Sequence, residues 1–236
     1  MTKQVFIEKK YGKPMHEASS NNILTVGYFH EKQGIDLLVK AFSMLKRDRR
    51  FEDVKLFLVG RGYPKKYASK DVILTGFVPD LSLIYRKCGL YVHAGRFQAF
   101  PVSVLEAMHY GLPVIVTNMT GVCDILEAKF VSKTNPRDIA SKMRMVLSQS
   151  RSERLFLGEK NYRISLEFVE EKKVREFVKA FNTLLRWTSK KKEKLKSRIK
   201  LLPSYALFSL IWSVWMTPII MRKVHQRVTG RGIHSP

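Results

Sequence analysis

The chain has 236 residues and is strongly basic, with 43 Lys and Arg against 20 Asp and Glu and a net charge of +23. This length allows one substantial domain with an appendage, and a hydrophobic content of 45% is enough for a globular core. The two cysteines, Cys88 and Cys123, are too few for a disulfide framework and lack the spacing of a metal site. Positive charge suits nucleic acid, anionic lipid or phosphorylated ligands, but the sequence carries no nucleic-acid-binding motif, so no nucleic-acid partner is expected.

Short apolar runs alternate with helical patterns after a polar lead-in over residues 1–21. Continuous apolar and β-branched runs predict strands, and apolar residues that recur every three or four positions predict helices. The predicted strands lie at 22–28, 54–60, 71–78, 90–94, 112–118 and, more weakly, 129–132. The predicted helices lie at 34–48, 81–88, 101–111, 136–149, 151–166 and 171–187. Uninterrupted apolar strands between helices are typical of a parallel sheet covered on both faces, so the sequence predicts a doubly wound α/β domain over 22–187.

Residues 188–236 form a basic and apolar tail. The stretch 186–200 holds eight basic residues and one acid, and the run 201–221 that follows contains no charge. As a helix this run is about 32 Å long, close to the hydrocarbon thickness of a bilayer, about 30 Å. We expect it to contact a membrane, either by spanning it or by lying on its surface. The alternative is an amphipathic helix that docks onto a partner domain.

Ligands of doubly wound sheets bind beyond the carboxyl ends of the strands, so the loops there are the candidate site. Gly27, Lys32 and Gly34 lie between the first strand and a helix start, where backbone N–H groups attract phosphate. An ordinary strand–helix turn is the alternative at this loop. Gly60 and Gly62 follow the second strand and let the backbone approach a ligand closely, although this pattern is weak evidence in isolation.

The later strand ends carry the more specific chemistry. Phe77 and Val78 lie at the end of the third predicted strand, where backbone atoms meet the edge of a nucleotide base or make a simple turn. Glu106 lies midway along an apolar helix and needs a partner, because burying an isolated charge is costly. A pair of ligand hydroxyls such as a ribose would serve, as would local backbone or a basic residue. Gly121 lies past the next strand and is a candidate N–H donor to a phosphate.

Taken in order and spacing, these pieces resemble the C-terminal, donor-binding domain of the family 4 retaining glycosyltransferases, which have the two-domain GT-B fold. The resemblance covers about residues 22–186 and is carried by GYFHEKQGIDLLVKAF (27–42), LVGRG (58–62), GFV (76–78) and QAFPVSVLEAMHYGLPV (98–114). It implies a transferase that moves a sugar, with retention, from a UDP- or GDP-sugar to a lipid-linked or polysaccharide acceptor. It implies no cofactor besides the donor, and no carboxylate cluster suggests a metal.

The resemblance also implies roles for individual residues. Glu106 would bind the ribose hydroxyls, the segment 76–78 would hold the base, and the segment 100–102 would present backbone N–H groups near the sugar and diphosphate. The glycines of the first two loops would shape the phosphate site. With Gly121, the predicted donor-binding set is Gly27, Gly34, Gly60, Gly62, Phe77, Val78, Phe100, Pro101, Val102, Glu106 and Gly121.

Three positions depart from the family pattern, and each removes a charge. Tyr28 stands in place of an Arg that neutralises the diphosphate, Gln33 in place of a Lys, and Gln98 in place of the first acid of a Glu-x7-Glu pair. Loss of one group that stabilises a leaving oxyanion typically lowers the rate about 100- to 1,000-fold. We therefore assign Gln98 and Lys32 to the catalytic positions, with Lys32 or Arg96 as replacements for the lost cation. A catalytically silent nucleotide-binding or scaffold subunit is the alternative.

The family's N-terminal domain, which usually supplies the acceptor half of the cleft, has no counterpart in this sequence. The resemblance therefore implies a second polypeptide that completes the cleft, unless the gene product is a shortened one. Together with the basic and apolar tail, it implies a protein on the cytoplasmic side of a membrane, where lipid-linked acceptors are glycosylated.

Overall fold

The computed structural model describes residues 20–168 and 170–189. Residues 1–19 of the predicted lead-in 1–21 lie outside the described residues, and so does the uncharged run 201–221. Two compact units divide at Val169 and Glu170, and the sheet belongs to the first. The predicted domain limits at 21 and 187 remain predictions.

The first unit is a six-stranded sheet, and every pair of neighbouring strands in it is parallel. Its strand order is β3-β2-β1-β4-β5-β6, which is the doubly wound arrangement predicted from the sequence. The strands are β1 Ile23–Val26, β2 Leu56–Val59, β3 Val72–Gly76, β4 Leu90–His93, β5 Val114–Thr117 and β6 Val131–Ser132. Each strand lies inside a stretch predicted as a strand.

The helices of the first unit follow the strands and cover both faces of the sheet. Their ends are set by local chemistry: the Asn135 side chain accepts a hydrogen bond from the Asp138 N–H ahead of one helix, and Ser150 and Glu153 form a capping box at the start of the next. The helices are α1 Ile35–Leu45, α2 Ser82–Lys87, α3 Val102–His109, α4 Pro136–Leu147, α5 Arg151–Ser165 and α6 Glu170–Ser189. The last helix belongs to the second unit.

The core has two layers, one on each face of the sheet. Strand side chains alternate between them, so that Leu90 and Val92 face the layer of α1 and α4, whereas Tyr91 faces the layer of α2 and α3. Full burial of one such aliphatic side chain stabilises the fold by about 1.5–3 kcal/mol. This packing sets the positions of the strand ends, from which the loops at the carboxyl edge of the sheet begin.

Candidate active site

The strand order reverses between β1 and β4, and the loops after these two strands meet there. The Arg96 N–H donates to the Lys32 carbonyl at 2.7 Å. Gly34 caps α1 with a positive φ of 63°, and a Cβ at this position would lie 2.0 Å from the Ala94 carbonyl oxygen. Crevices of this kind, at the point where strand order reverses, are where doubly wound sheets bind ligands. Predicted site residues from both loops are therefore neighbours.

Arg96 and Asp36 form an ion pair at the start of α1. Two guanidinium nitrogens of Arg96 donate to the two Asp36 carboxylate oxygens at 2.8 and 2.6 Å, and the hydrogen bonds from Arg96 hold the pKa of Asp36 below its usual value. Backbone N–H groups of Asp36 and Leu37 also stabilise this carboxylate. The N-terminus of α1 thus carries a carboxylate, which opposes a phosphate there. The prediction that Arg96 replaces the missing diphosphate cation is not supported, because Asp36 already engages its guanidinium.

Lys32 is the basic residue of this loop that remains exposed. It lies in a short 3₁₀ turn, Glu31–Gln33, in which the His30 ring nitrogen Nδ1 accepts a hydrogen bond from the Lys32 N–H at 3.1 Å. Within residues 20–168, no carboxylate lies within ion-pair distance of the Lys32 ammonium. Tyr28, which stands where the family has Arg, is also exposed. Lys32 is accordingly available to a ligand.

Three buried polar atoms lie near the strand reversal: Gln33 Oε1, His93 Nε2 and Gln98 Oε1. Among the described residues Gln33 Oε1 has no hydrogen-bond partner, and the His93 and Gln98 side chains have no well-formed partner besides one another. The Gln33 amide packs against Gly27, where an added Cβ would lie 2.6 Å from Nε2. Leaving a buried polar group without a partner costs about 1–3 kcal/mol, so each of these atoms is a candidate contact for a polar ligand. Two of the three are the positions where the family pattern has charged residues.

His93 is a site residue that the sequence did not indicate. It is the last residue of β4 and is buried, and burial lowers the pKa of His93 to about 4, while the neighbouring Gln98 side chain opposes this shift only in part. The imidazole is therefore neutral at physiological pH. The groups around Gln98 are thus uncharged and polar. A histidine inside an apolar strand gives no periodic signal, and its proximity to Gln98 depends on the fold of the loop between them.

Glu106 is half-buried on α3, and Tyr85 of α2 is its partner. The Tyr85 hydroxyl donates to Glu106 Oε2 at 3.2 Å, and the Tyr85 ring stacks on Tyr110 with centroids 4.6 Å apart. Burial raises the pKa of Glu106, and the hydrogen bond from Tyr85 counteracts part of that rise. The carboxylate therefore has a phenol as partner, whereas the sequence suggested a ligand hydroxyl pair, local backbone or a basic residue.

The N-terminus of α3 lies one helical turn from Glu106. No side chain caps this end, and its first turn contains no acid, in contrast to α1. Among the predicted donors, Phe100 and Val102 have backbone N–H groups, but Pro101 has none, so the prediction of an N–H contact was wrong for Pro101. An uncapped helix start offers N–H groups and a positive dipole end to an anion.

Gly121 does not supply a free N–H group. Its N–H donates to the Gln98 carbonyl at 3.0 Å, and a Cβ at Gly121 would lie 1.8 Å from the Ala99 carbonyl oxygen. The predicted phosphate contact from this N–H is therefore contradicted. Gly121 instead lets the loop that follows β5 pack closely against the backbone of the Gln98 loop.

The loops after β2 and β3 form the opposite end of the candidate site. The Gly60 N–H donates to the Gly76 carbonyl at 2.9 Å, which joins the two loops. Phe77 is exposed, and Val78 is partly buried against the layer of α2 and α3. Arg61, which the sequence did not single out, places its guanidinium carbon 4.5 Å from the centroid of the Phe77 ring.

The sequence family follows from comparison with known proteins. The family model described as "Glycosyl transferases group 1" matches residues 20–149, more than half of the chain. This chain belongs to the group 1 glycosyltransferases. An uncharacterised glycosyltransferase of Haemophilus influenzae is 29% identical over 120 residues, covering 47% of this chain and 33% of that protein.

Two further relatives of this glycosyltransferase chain have more specific names. The O-antigen chain mannosyltransferase B of Escherichia coli is 26% identical over 134 residues, covering 50% of this chain and 34% of that protein. A GDP-mannose-dependent alpha-mannosyltransferase of Corynebacterium glutamicum is 33% identical over 79 residues, covering 31% of this chain and 19% of that protein. The chain spans at most about half the length of the first curated relatives it matches.

Solved structures of glycosyltransferases have the same fold as this chain. The catalytic domain of cholesterol-alpha-glucosyltransferase from Helicobacter pylori superposes with a TM-score of 0.55 at 23% identity, covering 63% of this chain and 98% of that one. TarM superposes with a TM-score of 0.65 at 19% identity, covering 75% of this chain and 38% of that one. Identities this low establish the fold alone, and the predicted Rossmann-like GT-B domain is confirmed.

Within 20–168 and 170–189, no helix is both long and apolar enough to cross a membrane.

Proposed function

We propose that this chain is the donor-binding part of a membrane-associated, retaining glycosyltransferase of family 4, corresponding to the family's C-terminal domain. The donor is a nucleoside-diphosphate sugar, UDP- or GDP-linked, and the acceptor is a lipid-linked sugar or a polysaccharide. A second polypeptide, or a further domain, supplies the acceptor half of the cleft. The names of the two mannosyltransferase relatives support this class of reaction.

The observation that carries the proposal is the arrangement of Glu106 and the start of α3. The carboxylate is half-buried, has one oxygen bonded to Tyr85, and lies one turn from an uncapped helix N-terminus. A carboxylate accepts hydrogen bonds from two vicinal hydroxyls, and a helix start attracts phosphate. Ribose and diphosphate are adjacent parts of one nucleotide, so the two features together fit a nucleoside diphosphate.

The proposed chemistry proceeds with fewer charges than the family pattern supplies. The acceptor hydroxyl oxygen forms the new bond to the sugar C1 with retention, and the bond between C1 and the diphosphate oxygen breaks. Negative charge develops on the leaving diphosphate, which takes up the proton of the acceptor hydroxyl. The N–H groups at the start of α3 and the exposed Lys32 ammonium are the groups positioned to stabilise that charge. The sugar hydroxyls would meet neutral hydrogen-bonding groups, those of Gln33, His93 and Gln98. Because Gln98 stands where the family has an acid, these three positions add no carboxylate beside the sugar.

Calorimetry on the full chain with UDP and GDP tests the donor site. Replacing Glu106 by Gln removes the charge but keeps the shape, so we expect nucleotide affinity to fall about 10- to 100-fold, because hydrogen bonds to a charged group are lost. Glu52→Gln, which alters an exposed acid beyond the C-terminal end of α1, is the matched control and should leave affinity unchanged. Absence of binding by the unmodified chain to either nucleotide would falsify the proposal. Binding without sugar transfer, even in membranes that contain the acceptor, would favour the silent subunit.

A further inference from the structure

Arg61 and Phe77 form an exposed cation–π pair that the proposed chemistry does not use. The Arg61 guanidinium lies 4.5 Å from the centroid of the Phe77 ring, and Phe77 itself is 60% exposed. Among residues 20–168, no carboxylate forms an ion pair with Arg61. A planar guanidinium held against a ring keeps its in-plane N–H donors directed outward, so this pair is preorganised to bind a flat, polar ligand.

The backbone that carries the pair is anchored on both sides. The Phe29 N–H donates to the Arg61 carbonyl at 2.8 Å, and the Gly60 N–H donates to the Gly76 carbonyl at 2.9 Å. The loops after β1, β2 and β3 are therefore bonded to one another, while the Arg61 side chain remains exposed. These hydrogen bonds fix the backbone of Arg61, and Phe77 holds its exposed guanidinium at the carboxyl ends of the strands.

The position of the pair relative to Glu106 indicates which part of a nucleotide it would meet. Phe77 lies between β3 and α2, and α2 carries Tyr85, which bonds to Glu106. The start of α3, which fits the diphosphate, follows β4, and β4 is two strands away from β2 in the sheet. If Glu106 holds the ribose, the base lies on the β2–β3 side, and the diphosphate lies on the β4 side.

We propose that Arg61, held by Phe77, selects a guanine base, so that the donor of this chain is a GDP-sugar. The inference rests on the proposed function, because it assigns the base of the same donor. The fork of a guanidinium donates two parallel hydrogen bonds to O6 and N7 of guanine. Uracil offers a single carbonyl acceptor on the corresponding edge, and adenine presents an N–H donor that opposes the guanidinium. Arg61 thus prefers guanine over both other bases.

Calorimetry on the full chain with GDP, 7-deaza-GDP, UDP and ADP tests this selection. We expect GDP to bind about tenfold or more tightly than UDP and ADP, as one bidentate arginine–guanine contact implies. 7-Deaza-GDP, which lacks the N7 acceptor, should bind with intermediate affinity. Arg61→Met keeps the alkyl stem, and it should lower GDP affinity about tenfold while changing UDP affinity less than about threefold. Arg61→Lys keeps the charge without the fork and should also lose the guanine preference.

Arg151→Met is the matched control, since Arg151 is an exposed arginine at the start of α5 and belongs to none of the loops of the candidate site. Equal weakening of GDP and UDP by Arg61→Met would place the guanidinium on the diphosphate and overturn base selection. Tight binding of UDP by the unmodified chain, with no advantage for GDP, would overturn it as well and leave the donor site intact. Failure of every nucleotide to bind would instead remove the proposed function itself.

Discussion

Glu106 and Tyr85 form an acid–phenol pair between α2 and α3, and its energetics depend on pH. The pKa of Glu106 is raised by burial, and the hydrogen bond from Tyr85 limits the rise. A carboxyl whose folded pKa exceeds its unfolded value destabilises the fold once it ionises, so its contribution to stability falls as the pH rises through the folded pKa. Tyr85→Phe should raise the pKa of Glu106 further and lower the free energy of unfolding by about 1–3 kcal/mol at pH 8.

The loss should shrink as the pH is lowered from 8 to 5, because the protonated fraction of Glu106 increases and a protonated carboxyl gains less from the phenol. Urea unfolding at the two pH values measures the difference. Tyr91→Phe is the control: the Tyr91 hydroxyl donates to Ser103 Oγ at 2.8 Å, a neutral acceptor, and its removal should produce little dependence on pH. A loss for Tyr85→Phe that is equal at both pH values would contradict the acid–phenol pair.

At the same scale, the sequence indicated that Glu106 needs a partner but could not name Tyr85. The two residues are 21 positions apart and lie on different helices, so no local spacing joins them. Arg96 and Asp36 are 60 positions apart, and their pairing likewise depends on how the loop after β4 folds over α1. The sequence gives the chemical type of each side chain. Which residue becomes its partner depends on the tertiary packing of the helices and loops that carry the two residues.

At the scale of elements, the close approach of α1 to β4 depends on Gly34. A Cβ there would lie 2.0 Å from the Ala94 carbonyl oxygen, and the residue has φ of 63°. We expect Gly34→Ala to lower the free energy of unfolding by about 2–5 kcal/mol, the sum of left-handed strain and of the clash with backbone. Gly76→Ala is the matched variant, since Gly76 has φ of 68° but no atom within 4 Å of an added Cβ.

Gly76→Ala should therefore cost only the strain, about 1–2 kcal/mol. Chemical unfolding of both variants measures the two costs, and equal losses would mean that α1 can move away from β4.

The sequence predicted every strand and helix of the first unit, because the apolar periods are strong. It did not predict the 3₁₀ turn Glu31–Gln33, because short turns lack a period.

For the whole molecule, the alternation of strands and helices predicted a parallel sheet, but not which loops would meet. The strand order places the loops after β1 and β4 next to each other. As a result, Gln33, His93 and Gln98 lie together at the carboxyl ends of these strands. The residues that donate or accept hydrogen bonds in this site lie between positions 27 and 121, all within the unit Met1–Val169. The described residues of the candidate site and of both core layers therefore belong to this first unit.

Truncation after residue 189 should separate nucleotide binding from membrane binding. Between 190 and 200 the chain carries seven basic residues and one acid, followed by the uncharged run 201–221. Each basic residue near an anionic surface contributes about 1 kcal/mol, and the uncharged run adds apolar burial. The full chain should float with vesicles that contain anionic phospholipid, and the chain 1–189 should stay in the aqueous fraction.

Both chains should bind nucleotide with affinities that agree within about threefold, because both contain the site residues between positions 27 and 121. A threefold change in affinity corresponds to less than about 1 kcal/mol. Neutral vesicles are the control for the electrostatic part, and only the apolar run should retain the full chain on them. Flotation of the chain 1–189 to the same extent as the full chain would mean that the sheet unit or α6 contacts the lipid. In α6, Val174, Val178 and Phe181 are exposed at helical spacing, so this helix would then be the first element to mutate.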